Sequence, residues 1–320
     1  MMKRIAVLTS GGDAPGMNAA IRAVVRTALF HGMETVGVMR GYDGLMEGDC
    51  RILESASVGG IVHRGGTILR TSRSDRFKTE DGLRAALVQL EDWKIDALVV
   101  IGGDGTYRGA HALGALGVQV IGIPGTIDND VTGTDVTIGF DTAVNTAFQA
   151  IQKLRDTASS HDRLFIVEVM GREAGFLALE VAVSGGAEYV AVPEIPLDME
   201  KLCEHLHYSR KRGKTHSLIV IAEGVMSGAD LKNRLQDTSG YDAKVTVLGY
   251  IQRGGGPTSF DTVLASRMGG LAVESLLKGE SGKMVCSVGG RMVLRPLEEA
   301  WGTRKPLNPE LLALVDILGV

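Results

Sequence analysis

A long apolar run is missing from this 320-residue chain. None approaches the ~18 residues needed to span a bilayer, so no membrane partner is expected. The chain enters a strand-like segment almost at once, which leaves no room for a signal peptide and points to the cytoplasm. Cysteine is scarce as well. Cys50, Cys203 and Cys286 are scattered and odd in number, which argues against a disulfide framework, matches no zinc spacing and suits a reducing compartment. Positive charge is not in excess: 34 Lys and Arg against 38 Asp and Glu leave a net charge of −4. Neither nucleic acid nor an anionic membrane surface is therefore an expected partner. His205 and His207 stand two apart and would face different sides of a helix, so they make no metal pair. Low-complexity stretches, Pro-rich linkers and solenoid repeats are missing too.

Glycine is plentiful, at 43 residues, and much of it directly follows apolar segments. Near-continuous Val/Ile/Leu runs predict strands at Ile5–Ser10, Thr35–Met39, Ala97–Ile101, Val118–Ile123, Leu164–Val169, Tyr189–Val192, Ser217–Ala222, Lys244–Leu248 and Met284–Val288. Amphipathic spacing predicts helices at Met17–Phe30, Asp81–Glu91, Tyr107–Leu116, Ala143–Arg155, Phe176–Val183, Met199–Lys211 and Phe260–Leu277. Strands without strict alternation are covered on both faces, and their regular exchange with helices reads as a doubly wound α/β fold with a mostly parallel sheet. Ligands in such sheets bind at the carboxyl ends of the strands.

Those ends carry the chemistry. Ile5–Ser10 leads into Gly11-Gly12-Asp13-Ala14-Pro15-Gly16, with Asn18 behind it. Ala97–Ile101 leads into Gly102-Gly103-Asp104-Gly105-Thr106. Glycine admits bare backbone N–H groups to a phosphate, and a carboxylate in the same turn can serve Mg²⁺. Each turn is also compatible with an ordinary strand-to-helix connection, with Asp104 as an N-cap. NAD kinases and diacylglycerol-type lipid kinases carry a turn similar to the second. A third strand ends in Pro124-Gly125-Thr126-Ile127-Asp128-Asn129-Asp130. Two carboxylates two residues apart, with no lysine in the segment, are costly unless something uses them. A kinase acting on an alcohol needs one carboxylate to accept the hydroxyl proton. Arg73, Arg163, Arg172 and Arg253 stand at or near element ends. One such arginine is usually a solvated surface group, whereas four at element ends beside glycine suit phosphate clamps.

Taken together, Leu8–Asn18, Gly65–Arg73, Gly102–Thr106, Pro124–Asp130, Arg155–Ser160, Glu168–Arg172, Ala222–Gly224 and Val247–Gly255 resemble the blocks of the bacterial ATP-dependent 6-phosphofructokinases. The likeness runs from Lys3 to roughly Leu297. It implies two similar doubly wound, Rossmann-like domains. The ATP-binding domain would comprise 1–139 plus 252–302, and the fructose-6-phosphate-binding domain 140–251 plus 303–320. It implies a glycolytic, allosteric homotetramer that transfers the ATP γ-phosphoryl to the 1-hydroxyl of fructose 6-phosphate, giving fructose 1,6-bisphosphate and ADP.

By the same resemblance, Asp128 would be the base, Asp104 would serve Mg²⁺, and Thr126, Arg172 and Asp130 would complete the catalytic group. Gly11, Tyr42, Arg73, Ser74, Gly103, Gly105 and Thr106 would lie at the nucleotide. Met170, Gly171, Glu223, Tyr250 and Arg253 would hold the sugar phosphate, with Arg163 and Lys244 reaching in from an adjacent subunit. Arg22, Arg26, Arg155, Glu188, Arg212 and Lys214 would form an effector site for ADP, GDP or phosphoenolpyruvate. Four positions depart from the family pattern. Lys244 stands where Arg is usual and Tyr250 where His is usual, while Ser55 and Ala56 replace an Arg and an aromatic at the effector. Pyrophosphate-dependent relatives typically carry Asp at the Gly105 position and Lys at the Gly125 position, so both glycines favour ATP.

Overall fold

Runs such as Ile5–Leu8 and Leu98–Ile101 are wholly buried, as parallel strands covered on both faces require. The computed structural model describes residues 2–161, 163–214 and 216–319; Asp162, in the segment leading to Arg163, lies outside the described residues. In order, β1 (Arg4–Thr9), α1 (Met17–Phe30), β2 (Glu34–Val38), α2 (Gly41–Glu47), β3 (Cys50–Leu53), α3 (Glu80–Asp92), β4 (Ala97–Gly102), α4 (Asp104–Ala115) and β5 (Gln119–Pro124) lead to the long α5 (Phe140–His161). There follow β6 (Leu164–Val169), α6 (Phe176–Gly185), β7 (Tyr189–Ala191), α7 (Met199–Lys211), β8 (Ser217–Ala222), α8 (Gly228–Ser239) and β9 (Ala243–Val247). Last come α9 (Ser259–Leu277), β10 (Lys283–Val288), β11 (Arg291–Pro296), α10 (Glu299–Gly302) and α11 (Pro309–Leu318). The chain divides into two units: Met1–Asp141 with Arg253–Lys305, and Thr142–Gln252 with Pro306–Val320.

The first unit holds a seven-stranded sheet in the order β11-β10-β5-β4-β1-β2-β3. From β1 the chain moves outward to β2 on one side, then returns to place β4 on the other, both parallel to β1. The crevice between β1 and β4 is thus a topological switch point, where such sheets bind ligands. Leu8, Val36, Leu98, Val100, Tyr107 and Leu113 form part of its core. The sheet is mostly parallel, as expected, with antiparallel strands at its two edges. Both β3 and β11 run antiparallel to their neighbours, and neither is among the expected strands. Their exposed, polar residues blunt a sheet edge and hide the apolar signal that marks a central strand. Also unannounced by periodicity are α2, α8, α10 and α11.

In the second unit a four-stranded parallel sheet runs β7-β8-β6-β9. Its core includes Ile166, Ile219, Ile221, Leu202 and Leu231.

Helix starts separate into two kinds. Side-chain oxygens of Thr79, Asp198, Ser227, Thr258 and Asn308 accept backbone N–H groups at the starts of α3, α7, α8, α9 and α11, which is ordinary N-capping. By contrast, α1 and α4 begin after Gly16 and Gly103 with no side-chain cap. Among the described residues no helix is long and apolar enough to cross a membrane.

Candidate active site

Register brings three sequence turns to one end of the first sheet. Thr9 pairs with Ile101 across β1 and β4, and Gly102 pairs with Pro124 across β4 and β5. The chain segments after all three strands therefore emerge side by side. Backbone bonds stitch them together: Ser10 N–H donates to Ile101 O at 3.1 Å, and Gly125 N–H to Gly102 O at 3.0 Å.

The first turn is braced from below and beside. Gly11 takes φ 87, a left-handed conformation that suits glycine. Its N–H donates to Ser72 O at 3.1 Å, and its carbonyl accepts from Thr71 Oγ1 at 2.9 Å. The buried Asn18 side chain donates to Arg64 O and Gly65 O and accepts from Ile68 N–H. These bonds hold the segment carrying Arg73 and Ser74 against the turn. Arg73 is exposed, and Ser74 Oγ accepts from Phe77 N–H at 3.2 Å. Arg253 also arrives here, since a Cβ added at Gly12 would stand 3.3 Å from its guanidinium carbon.

The second turn is shorter than expected. Helix α4 starts at Asp104 rather than Tyr107, so Gly103, not Asp104, is the cap residue. The physical reason lies at Gly102, where any Cβ would meet Thr106 Oγ1 at 2.3 Å and Ser10 O at 2.5 Å. Only glycine lets the helix begin so close to the strand. Gly105 and Gly103 are different. A Cβ at Gly105 would meet nothing within 4 Å, and one at Gly103 only Thr126 Cβ at 3.9 Å. Neither has a positive φ, so protein packing does not demand glycine at either place; the room they leave lies open. Asp104 is about half exposed, with one oxygen 3.8 Å from Arg108 Nε and the other accepting from Gly105 N–H at 2.6 Å. Tyr42 and Thr106 serve the turn from inside. The buried Tyr42 hydroxyl donates to Thr106 O at 2.5 Å, its ring stacks on Phe77, and Thr106 Oγ1 donates to Ser10 O at 3.1 Å. Burial pushes the Tyr42 phenol well above its ordinary pKa.

On the third turn Asp128 is 2% exposed, and its N–H donates to Thr126 Oγ1 at 3.2 Å. Asn129 adopts φ 53, which turns the chain back toward Thr137. Asn129 Oδ1 accepts from Thr137 N–H at 3.1 Å, and Thr137 Oγ1 donates to Thr126 O at 2.6 Å. The segment itself holds no lysine, and the fold brings one to it from elsewhere. Lys305, which the reading of local segments misses, reaches in and donates to Asn129 O and Asp135 O, both at 3.0 Å. Desolvation lowers its pKa to about 8, while Asp135 and Asp130 pull the other way. No signal within the segment could have found it, because the two positions lie 176 apart in sequence.

A second cluster forms at the carboxyl ends of β6 and β8, where Val169 and Ala222 are paired. Met170 N–H donates to the buried Gln252 Oε1 at 2.9 Å. Gly171 takes φ 144 and Arg172 φ 51, and a Cβ at Gly171 would stand 2.4 Å from Ala174 O. That tight turn lets Arg172 N–H donate to Glu223 Oε1 at 3.1 Å. Met170, Gly171, Arg172 and Glu223 are thereby gathered in one place. Tyr250, on a short 3₁₀ turn after β9, is 77% exposed.

The Phosphofructokinase family profile matches residues 4–276. The chain belongs to the phosphofructokinase family. It is 53% identical over 319 residues to an ATP-dependent 6-phosphofructokinase of Listeria welshimeri, covering 100% of both chains. To the ATP-dependent 6-phosphofructokinase of Halalkalibacterium halodurans it is 51% identical, again with 100% coverage of each. The solved Pichia pastoris phosphofructokinase in the T-state aligns with TM-score 0.90 and 34% identity over 94% of this chain and 35% of that one. A pyrophosphate-dependent phosphofructokinase structure from Marinobacter aquaeolei aligns with TM-score 0.85 over 99% of this chain and 91% of that one. At 22% identity the latter speaks for the fold alone.

Within this phosphofructokinase family member the remaining candidate residues fall into smaller groups. Arg163 and Lys244 line one cavity of about 410 Å³ together with Arg210 and Lys214. Lys244 Nζ pairs with Asp242 at 2.8 Å. The buried Glu188 carboxylate accepts from Leu218 N–H and lies 2.8 Å from Lys214 and 3.9 Å from Arg155. Arg212 sits over the Tyr208 ring, 5.6 Å from its centroid. Arg22 and Arg26 lie on α1 in the first unit, and Ser55 and Ala56 at an exposed 3₁₀ turn after β3.

Proposed function

We propose that this chain phosphorylates fructose 6-phosphate at its 1-hydroxyl with ATP, giving fructose 1,6-bisphosphate and ADP. The observation that carries the reading is the alignment of three turns on adjacent strands β1, β4 and β5, which puts Asp104 and Asp128 at one sheet end beside two uncapped helix starts. In this reading the first unit is the ATP-binding domain and the second the fructose-6-phosphate-binding domain.

Phosphoryl transfer needs positioning and charge neutralisation more than covalent help from the protein. Gly11, Gly103 and Gly105 leave the turns free of side chains, the uncapped starts of α1 and α4 present partial positive charge to the phosphates, and Arg73 adds a full one. Tyr42 and Thr106 shape the turn from within, their hydroxyls bonded to Thr106 O and Ser10 O. Asp104 suits Mg²⁺. That ion typically takes one or two carboxylates and completes its shell with water and substrate phosphates, and among the described residues no cluster of three acidic, His or Cys side chains forms a cage. When bound, it would offset the charge that builds on the transferring phosphoryl oxygens. The sugar 1-oxygen bonds to the γ-phosphorus, the bond to the β–γ bridging oxygen breaks, and the hydroxyl proton passes to Asp128. Thr126 and Arg172 steady the phosphoryl group, with Asp130 supporting the site. Met170, Gly171 and Glu223 hold the sugar, and Arg253, Tyr250, Arg163 and Lys244 its 6-phosphate.

An ADP-release assay across sugar phosphates, run with ATP and pyrophosphate in parallel, tests the reading. Turnover with ATP and fructose 6-phosphate is expected; turnover with pyrophosphate alone would replace it by the rival donor. Lys244 supplies a further test. A lysine delivers a point charge where arginine delivers a two-pronged fork, so Lys244→Arg is expected to lower KM for the sugar phosphate about two- to tenfold with kcat little changed, on the scale of one charge-assisted hydrogen bond. An unchanged KM counts against placing this residue at the 6-phosphate.

The assembly in this reading is a cytoplasmic homotetramer in which Arg163 and Lys244 serve a neighbouring subunit, regulated by ADP, GDP or phosphoenolpyruvate near Arg22, Arg26, Arg155, Glu188, Arg212 and Lys214. Titrating ADP and phosphoenolpyruvate against the sugar-phosphate saturation curve decides the regulatory part, which fails if neither shifts it.

A further inference from the structure

The loop that follows Asp128 is closed by a residue from the far end of the first unit. Lys305 bonds Asn129 O and Asp135 O, both at 3.0 Å. Those carbonyls mark the two ends of the loop 129–135. Asn129 closes the same loop with its own side chain, since Nδ2 donates to Asp135 O at 3.2 Å and Oδ1 accepts from Thr137 N–H. A second tie comes from the same stretch of chain, where Thr132 Oγ1 donates to Thr303 O at 2.6 Å. Bonds from an ammonium to carbonyls are stronger than neutral ones and hold their geometry accordingly. The Asn129 carbonyl belongs to the peptide unit one residue beyond Asp128. Whatever fixes it also limits how far the Asp128 backbone can rotate.

We propose that Lys305 is a positioning residue for phosphoryl transfer, one that holds the Asn129 carbonyl so that the Asp128 carboxylate keeps the angle needed to accept a proton. The inference rests on the assignment of Asp128 as the base. Lys305 is given no contact with a reactant; it acts through the backbone of the turn. A small misplacement of a reacting group lowers turnover strongly while leaving ground-state binding nearly intact.

The test compares Lys305→Met, Lys305→Gln and Lys305→Arg with the wild-type chain. Readouts are kcat, KM for ATP and for the sugar phosphate, and hydrogen exchange of the Thr137 amide. Lys305→Met is expected to lower kcat about tenfold or more, with both KM values within about twofold and faster Thr137 exchange. Lys305→Arg should recover most of kcat, because a guanidinium can reach two carbonyls at once. Should the methionine variant fail to fold, Lys305→Gln carries the same readouts. Wild-type kcat in either uncharged variant would overturn the proposal. So would a kcat loss that arginine does not repair, or a dominant rise in KM for ATP, which would indicate a phosphate contact instead. A wild-type chain with no kinase activity would remove the assignment of Asp128, whereas Thr137 exchange unaffected by loss of the ammonium would remove the role of Lys305.

Discussion

Replacing Asp128 with asparagine is expected to lower kcat by about 10²–10⁴, the usual contribution of a general base. Asparagine matches the shape of aspartate, and the backbone N–H of residue 128 still donates to Thr126 Oγ1. The fold and the binding of both reactants should therefore survive, and the loss should fall on the chemical step. At 1.36 kcal/mol per decade the effect amounts to about 3–5 kcal/mol of barrier. Burial of this side chain to 2% makes the comparison clean, since little bulk water is available to replace the base. Single-turnover phosphoryl transfer with calorimetric binding of each reactant would measure it. Turnover near wild type refutes the assignment, and so would a loss confined to binding.

Gly105→Asp is the second large effect. A Cβ at this position meets nothing within 4 Å, and an acid in the first turn of α4 is favoured by the helix dipole. The variant should therefore fold with a melting temperature within a few degrees of the parent. Its cost should appear only with nucleotide. A carboxylate added beside phosphate meets like charge at close range, worth roughly 1–4 kcal/mol at 4 Å between the dielectric limits of water and a protein surface. A fall of about 10² in kcat/KM for ATP corresponds to about 2.7 kcal/mol and lies inside that range. An unchanged value would move the nucleotide away from this turn, and a large drop in melting temperature would show that packing, not ligand, holds the glycine. Gly125 offers no such test. A Cβ there would stand 3.1 Å from Ile101 Cγ2 and 3.2 Å from Met17 Cε, so a side chain would press on the core and mix a packing effect with any effect on ligand.

Central strands such as Leu98–Ile101 are legible because both faces are buried and the apolar run is unbroken. The edge strand Cys50–Leu53 is not, since it spans only four residues and its exposed Arg51 interrupts the apolar run. Helix α4 illustrates the limit of local reading. Its pattern of apolar residues begins at Tyr107, but the first turn depends on Gly102, where a Cβ would meet Ser10 O, a neighbour in space. Arg172 and Glu223 stand at the ends of predicted strands, so their meeting follows from strand order once the sheet is known.

Residue order alone determined the chemistry available to this chain: glycine turns after apolar strands, a carboxylate for a cation, a second for a proton, and arginines to match phosphate. Local composition suffices for that, because turn conformation and side-chain charge are properties of a few adjacent residues. Tertiary structure decided which of them meet. It aligned three turns through strand register, committed the Tyr42 and Thr106 hydroxyls to the fold's interior, and carried Lys305 across the unit to the Asp128 loop. Those outcomes depend on hydrogen bonds between residues far apart in sequence, and no short window of sequence contains both partners.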